Sequence, residues 1–149
     1  MQYDNPSYLI MREKHIGAGT YSASAAGTAF NGTTLKTYSK MLVLGALAVV
    51  ASGASVGSTV AKTLGIGRIQ PSGTLSNFQK FSCTISATTS AAADQFDLSL
   101  TTPMTIASFG EVAVIVASSA TAADHGCVLS DVVWRYCLIG TLPANKNVG

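Results

Sequence analysis

Hydrophobic and polar residues alternate along much of this chain with a period of two, the repeat of a half-buried strand. Phe81-Ser-Cys-Thr-Ile-Ser86 puts Phe81, Cys83 and Ile85 on one face and Ser82, Thr84 and Ser86 on the other. Gln95-Phe-Asp-Leu-Ser-Leu100 repeats the pattern, with Phe96, Leu98 and Leu100 inward and Asp97 on the wet face. These two runs predict a hairpin with one buried and one solvated face. Glu111 to Ala117 is apolar on both faces and rich in β-branched residues, the mark of a strand covered on both sides. In Val132-Val-Trp-Arg-Tyr-Cys-Leu-Ile139, Val132, Trp134, Tyr136 and Leu138 share one face, and Val133, Arg135, Cys137 and Ile139 share the other. Trp134 is the predicted core anchor, and its indole N–H requires one acceptor.

The stretch between Lys40 and Lys62 carries no charge and admits two readings. A membrane-spanning helix over residues 41–61 has the required length of about 20 residues. However, large apolar side chains stop near Val50. Gly45, Gly53 and Gly57 would each cost a helix about 1 kcal/mol relative to alanine. The preferred reading is a long or bent strand over Leu35 to Val50, apolar on both faces. A turn at Ser52 to Ser58 follows, and Thr59 to Ile69 returns as the second arm of a hairpin. The start, Met1-Gln-Tyr-Asp, has no basic region or apolar core, so no secretory leader is expected.

Pro71-Ser-Gly73 and Thr101-Thr-Pro-Met104 read as breaks, because proline cannot serve a central ladder. Three loops of Ser, Ala, Thr and Gly follow strands at irregular spacing, so they do not form a repeat. No segment shows a convincing long amphipathic helix. The predicted fold is therefore all-β: an antiparallel sandwich, jelly-roll-like or immunoglobulin-like, over residues 35–143, with a flexible tail at 144–149. Residues 1–34 read as an extended N-terminal arm. Tyr8 to Met11 is apolar, Arg12-Glu-Lys-His15 is the densest charge cluster, and Gly17 to Ala29 is almost all small residues. Asn31-Gly32 signals a tight turn before the first long strand. An arm without a core of its own can lie on a neighbouring subunit, with Tyr8, Ile10, Arg12 and Lys14 as its contact residues.

Composition changes this picture in one respect. Charged residues are only 11% of the chain and hydrophobic residues are 48%. That is less than half the usual charge of a soluble domain, so much of the surface is expected to be covered by copies of the chain or by a larger assembly. Nine basic and seven acidic residues give a net charge of +2. The basic residues are dispersed, which argues against nucleic acid as a partner. Cys83, Cys127 and Cys137 form an odd set without a CxxC pair, and are expected as reduced, buried thiols.

Candidate chemistry is sparse. Asp124-His125 is the only acid–histidine neighbour pair, and no G-x-S-x-G elbow accompanies it. His125, Cys127, Cys137 and Cys83 match no zinc-ligand spacing. Gly65-Ile-Gly67 lacks the lysine and the following glycine of a phosphate loop. No catalytic residue, metal or cofactor is therefore expected, and the chain does not read as an enzyme.

A small-residue arm, GAGTYSASAAGTA, followed by short strands with small-residue loops resembles the minor structural proteins of tailed-bacteriophage virions, most closely the capsid decoration or cement proteins. The resemblance is one of composition and organisation over the whole chain, so it transfers no residue roles. It implies a β-rich, non-enzymatic virion structural protein, assembled in the host cytoplasm. Such a protein self-associates, most often as a trimer, and clamps the major capsid protein or another virion protein, without nucleic acid or membrane. The alternative class is a carbohydrate- or receptor-binding β-sandwich module, which requires a cluster of exposed aromatics. A further alternative is the small membrane protein spanning at 41–61.

Overall fold

A computed structural model describes residues 10–16, 21–23, 29–30, 32–50, 62–70, 72, 74–85, 94–119 and 127–139. These residues form nine strands and, among them, no helix. In chain order they are β1 (Met11–His15), β2 (Tyr21–Ala23), β3 (Leu35–Lys36), β4 (Met41–Val50), β5 (Lys62–Ile69), β6 (Leu75–Ile85), β7 (Gln95–Ile106), β8 (Glu111–Ser119) and β9 (Cys127–Leu138). All pairings are antiparallel. One five-stranded sheet has the order β1-β9-β4-β7, with β2 also on β9; a four-stranded sheet has the order β3-β8-β5-β6. The predicted all-β sandwich is the observed architecture.

Strand partners differ from those expected. The hairpin predicted from Leu35–Val50 and Thr59–Ile69 does not form. β4 pairs with β7 and β9, whereas β5 pairs with β6 and β8 in the opposite sheet. The hairpin predicted from Phe81–Ser86 and Gln95–Leu100 fails in the same way, because β6 and β7 lie in different sheets. The physical reason is that period two specifies which face is buried but not which strand lies alongside. β4 and β5 bury their apolar faces in one shared core rather than side by side. The long strand expected from Leu35 is also split. Leu35 and Lys36 belong to β3 in the four-stranded sheet, and the chain changes sheets before Met41. Met41–Val50 is a strand rather than helix, and among the described residues no helix is long and apolar enough to cross a membrane.

β4 lies between β9 and β7, and its residues alternate between fully buried and half-buried until Gly45, so the strand expected to be covered on both faces is fully covered on one. There φ is +151°, and a Cβ would lie 2.4 Å from the Leu98 carbonyl oxygen and 2.8 Å from the Ser99 Cα. Only glycine permits that approach. The register shows why it is needed. Val43 faces Met104, but Gly45 faces Ser99, so Leu100 to Pro103 bulge out opposite Leu44. The break expected at Thr101–Met104 is thus a bulge within a continuous strand. Pro103 is accommodated because β7 is an edge strand. The bulge is tied to the other sheet, since the Thr101 N–H and hydroxyl both donate to Gln79 Oε1 at 3.2 Å.

The core runs between the sheets. Val112, Val114 and Val116 of β8, Leu64 and Ile66 of β5, and Val132 and Trp134 of β9 are fully buried. Tyr136, Leu138, Phe81 and Phe96 pack against this cluster with part of their surface free. The predicted inward face of β7 and the Trp134 face of β9 are therefore the ones that meet the core, and Val112 to Val116 of β8 are buried on both faces, as read from the sequence. Ala29, Phe30 and Thr33, read with the arm, contribute to the body of the sandwich. Phe30 is fully buried in the core, its N–H donates to Val114 O at 2.9 Å, and the buried Thr33 hydroxyl donates to Phe30 O at 2.8 Å.

Candidate functional site

Of the expected contact residues, Tyr8 lies outside the described residues, while Ile10 is 73% exposed and Arg12 and Lys14 are exposed on β1. β1 pairs in register with β9, from Met11 opposite Cys137 to His15 opposite Val133. β2 continues along the same edge, with Tyr21 opposite Leu129 and Ala23 opposite Cys127. Every β1 side chain is exposed, so the strand is held mainly by its backbone ladder. Arg12 and Lys14 share the face of Tyr136 and Trp134, whereas Met11, Glu13 and His15 share the outer face of Cys137, Arg135 and Val133. His15 Nε2 is bonded to Asp131 Oδ2, and Asp131 Oδ1 is buried without a partner among the described residues. The Ile16 N–H donates to Val132 O at 2.9 Å and closes the strand.

The outer face of the five-stranded sheet is more apolar than a solvated face requires. Leu42, Leu44, Leu47, Val49 and Val133 are half-buried there, and Cys137 is a buried free thiol. Two of its acidic residues, Asp97 and Asp131, are each held by a partner, Arg135 and His15. Arg135 donates to Asp97 Oδ1 at 2.5 Å and to Ser99 Oγ at 3.1 Å, and Ser99 donates to Asp97 at 2.7 Å. The Ser99 hydroxyl and then the Arg135 guanidinium hold the Asp97 carboxyl below its ordinary pKa, against an opposing effect of burial.

A second assembly lies at one end of the four-stranded sheet. Lys36, Arg68, Ile69, Gln70 and the turn Ala107–Glu111 line a cleft of about 420 Å³. Its aromatic wall is Phe109, which is 62% exposed and has φ +64°, a conformation unusual for a bulky residue. The turn is fixed by Phe109 N–H to Thr37 O at 3.0 Å and Gly110 N–H to Ala107 O at 2.9 Å. Gly110 leaves no room for a side chain, since a Cβ would lie 2.4 Å from Ile106 Cγ2. The Phe109 ring meets Tyr38, itself 84% exposed, edge to face at 5.7 Å and 81°. Lys36 and Glu111 pair at 2.8 Å, and that hydrogen bond and charge raise the lysine pKa. Arg68 is exposed and makes no ion pair with a described residue.

This cleft was not anticipated from sequence. Its walls come from three segments far apart in the chain. The available signal was the placement of Tyr38 and Phe109 inside polar turn sequences, where a buried aromatic is not expected. Asp124 and His125 lie outside the described residues, as do the side chains of Cys83 and Cys127. Among the described residues, no three His, Cys, Asp or Glu side chains converge on a metal position. Comparison of the chain with protein-family models, curated proteins and solved structures finds no match.

Proposed function

We propose that this chain is a non-enzymatic structural protein of a virion shell, of the bacteriophage capsid decoration or cement type. The sandwich is the rigid body. Copies associate through low-charge, apolar surfaces, most economically in a closed ring, with a trimer as the form that the resemblance favours, and the N-terminal segment spreads onto a neighbouring subunit or the major capsid protein. The observation that carries this reading is β1, an edge strand paired in register over its whole length while all its side chains stay exposed. Such a strand is suited to exchange, because the same ladder forms on β9 of another copy at no loss of core contacts. The outer face with Leu42, Leu44 and Leu47 half-buried and the 11% charge content support it.

The test is light scattering coupled to size-exclusion chromatography on the full chain and on a form lacking residues 1–20. The full chain is expected as a discrete oligomer that adsorbs to capsids, and the truncated form as a folded monomer that does not. Identical oligomer size and capsid adsorption for both forms would reject the arm as the assembly device. A second reading, a carbohydrate- or receptor-binding sandwich module, is favoured by one observation, the exposed Tyr38–Phe109 pair beside the cleft.

A further inference from the structure

The geometry points to the cleft between Arg68, Gln70 and the Phe109 turn as a binding site for a carboxylated sugar ring. This inference deepens the binding-module reading and rests on it; it is independent of whether the N-terminal segment mediates assembly. The volume, about 420 Å³, falls in the range of about 300–1,000 Å³ typical of small-ligand sites. The lining supplies three kinds of group that such a ligand needs together.

The first is a cation. Lys36 is already neutralised by Glu111 at 2.8 Å, which leaves the exposed Arg68 guanidinium as the charge of the lining that has no ion pair with a described residue. Its planar fork matches a carboxylate with two parallel hydrogen bonds. The second is a set of both donors and acceptors. Gln70, Ser108, Lys36 and Glu111 offer amide, hydroxyl, ammonium and carboxylate groups, and ring hydroxyls both donate and accept. The third is an exposed aromatic wall. The electron-rich face of a phenyl ring attracts the polarised C–H groups of a sugar ring. Phe109 is held in a left-handed conformation to present that ring, and Tyr38 braces it from the edge. Backbone outliers of this kind cluster at ligand-binding positions. A ligand lacking the carboxylate leaves Arg68 unused, and one lacking hydroxyls leaves the polar lining unmatched.

The test is titration of the isotope-labelled full chain with glucuronate, glucose and acetate, followed by amide and aromatic NMR shifts. Glucuronate is expected to move the signals of residues 108–111 and of the Tyr38 ring, and to bind at least tenfold tighter than glucose or acetate. Oligogalacturonate and sialyllactose then separate an internal uronate from a terminal acidic sugar. R68Q is expected to reduce glucuronate to the level of glucose. F109G is expected to weaken both sugars while keeping the melting temperature close to that of the parent chain, because glycine adopts φ +64° freely. Equal binding of glucose and glucuronate would overturn the acid recognition and leave the module reading standing. Absence of any sugar binding would overturn both. An F109G chain that melts early yet binds normally would reduce the ring to a structural brace and also overturn the inference.

Discussion

The Trp134 indole N–H donates to the Thr33 carbonyl at 2.7 Å, inside the core. This bond ties the last strand of the sandwich to the turn that precedes its first body strand. Both groups are buried, so neither has water as an alternative partner. Trp134→Ala removes the largest fully buried side chain and is expected to destabilise by about 3–5 kcal/mol. Trp134→Phe keeps much of the volume but leaves the Thr33 carbonyl unpaired, at about 1–3 kcal/mol. Urea denaturation checks both values. A near-neutral Trp134→Ala would place the centre of the core elsewhere.

Gly45 sits where the chain reverses the alternation of β4. A side chain there must overcome both φ +151° and a carbonyl oxygen at 2.4 Å. The neighbour is backbone of a paired strand, so it cannot swing aside as a side chain would. Gly45→Ala is expected to destabilise by at least about 3 kcal/mol, combining backbone strain with overpacking. The loss should appear first as faster amide exchange in β7 around Leu98 and Ser99. Unchanged exchange there, with unchanged stability, would mean that the bulge is not the constraint.

Acid should weaken the outer face through Asp97. Its folded-state pKa is lowered, first by Ser99 and then by Arg135. A lowered carboxylate pKa contributes stability above the unfolded-state value, and that contribution is lost as pH falls through the folded value. Asp97 is largely exposed, so solvent screening keeps the effect small. Asp97→Asn is expected to melt slightly below the parent chain at neutral pH; the gap should begin to close near about pH 4, the ordinary carboxylate pKa, and vanish only below the lowered folded-state value. Lys36 has the opposite sign. Its raised pKa supplies stability that persists through neutral pH and fades only as the lysine deprotonates in strong alkali. Melting curves across pH separate the two. A constant offset between Asp97→Asn and the parent at all pH values would show that the carboxylate charge is not what stabilises.

The strands were legible where period two holds, as over Gln95–Leu100 and Val132–Leu138, and β8 reads correctly as buried on both faces from EVAVIVA alone. Their partners were not legible. Leu42 and Leu44 mark β4 as two-sided without saying that β9 and β7, rather than β5, lie beside it. Ala29 to Thr33 looked like arm because small residues surround a single phenylalanine, yet Phe30 finds the core and anchors the segment. The cleft was illegible for a related reason. Lys36, Arg68 and Phe109 acquire a shared surface only when β3, β5 and the β7–β8 turn meet at one sheet end. Arg12 and Lys14 lie on β1 and Ile10 just before it, a strand that the small-residue composition of the arm did not announce.

The strength with which β1 is held decides whether it can exchange, and two magnitudes oppose each other there. Each ladder hydrogen bond contributes about 0.5–1.5 kcal/mol net. Fixing each backbone residue costs about 1–2 kcal/mol. For Met11 to His15 no buried side chain adds to the favourable side; the His15–Asp131 bond, made by a histidine that is largely exposed, adds little, and Ile16 packs partly against the core. The two terms nearly offset, so β1 should detach without unfolding the sandwich. Amides of Met11–His15 are expected to exchange orders of magnitude faster than those of Val43 or Ala48 in the same sheet, in the monomeric state. Deleting residues 1–16 should shift the unfolding midpoint by an amount equivalent to less than about 2 kcal/mol. Protection of β1 equal to that of β4, or global unfolding on its removal, would make β1 an integral strand and end the exchange model.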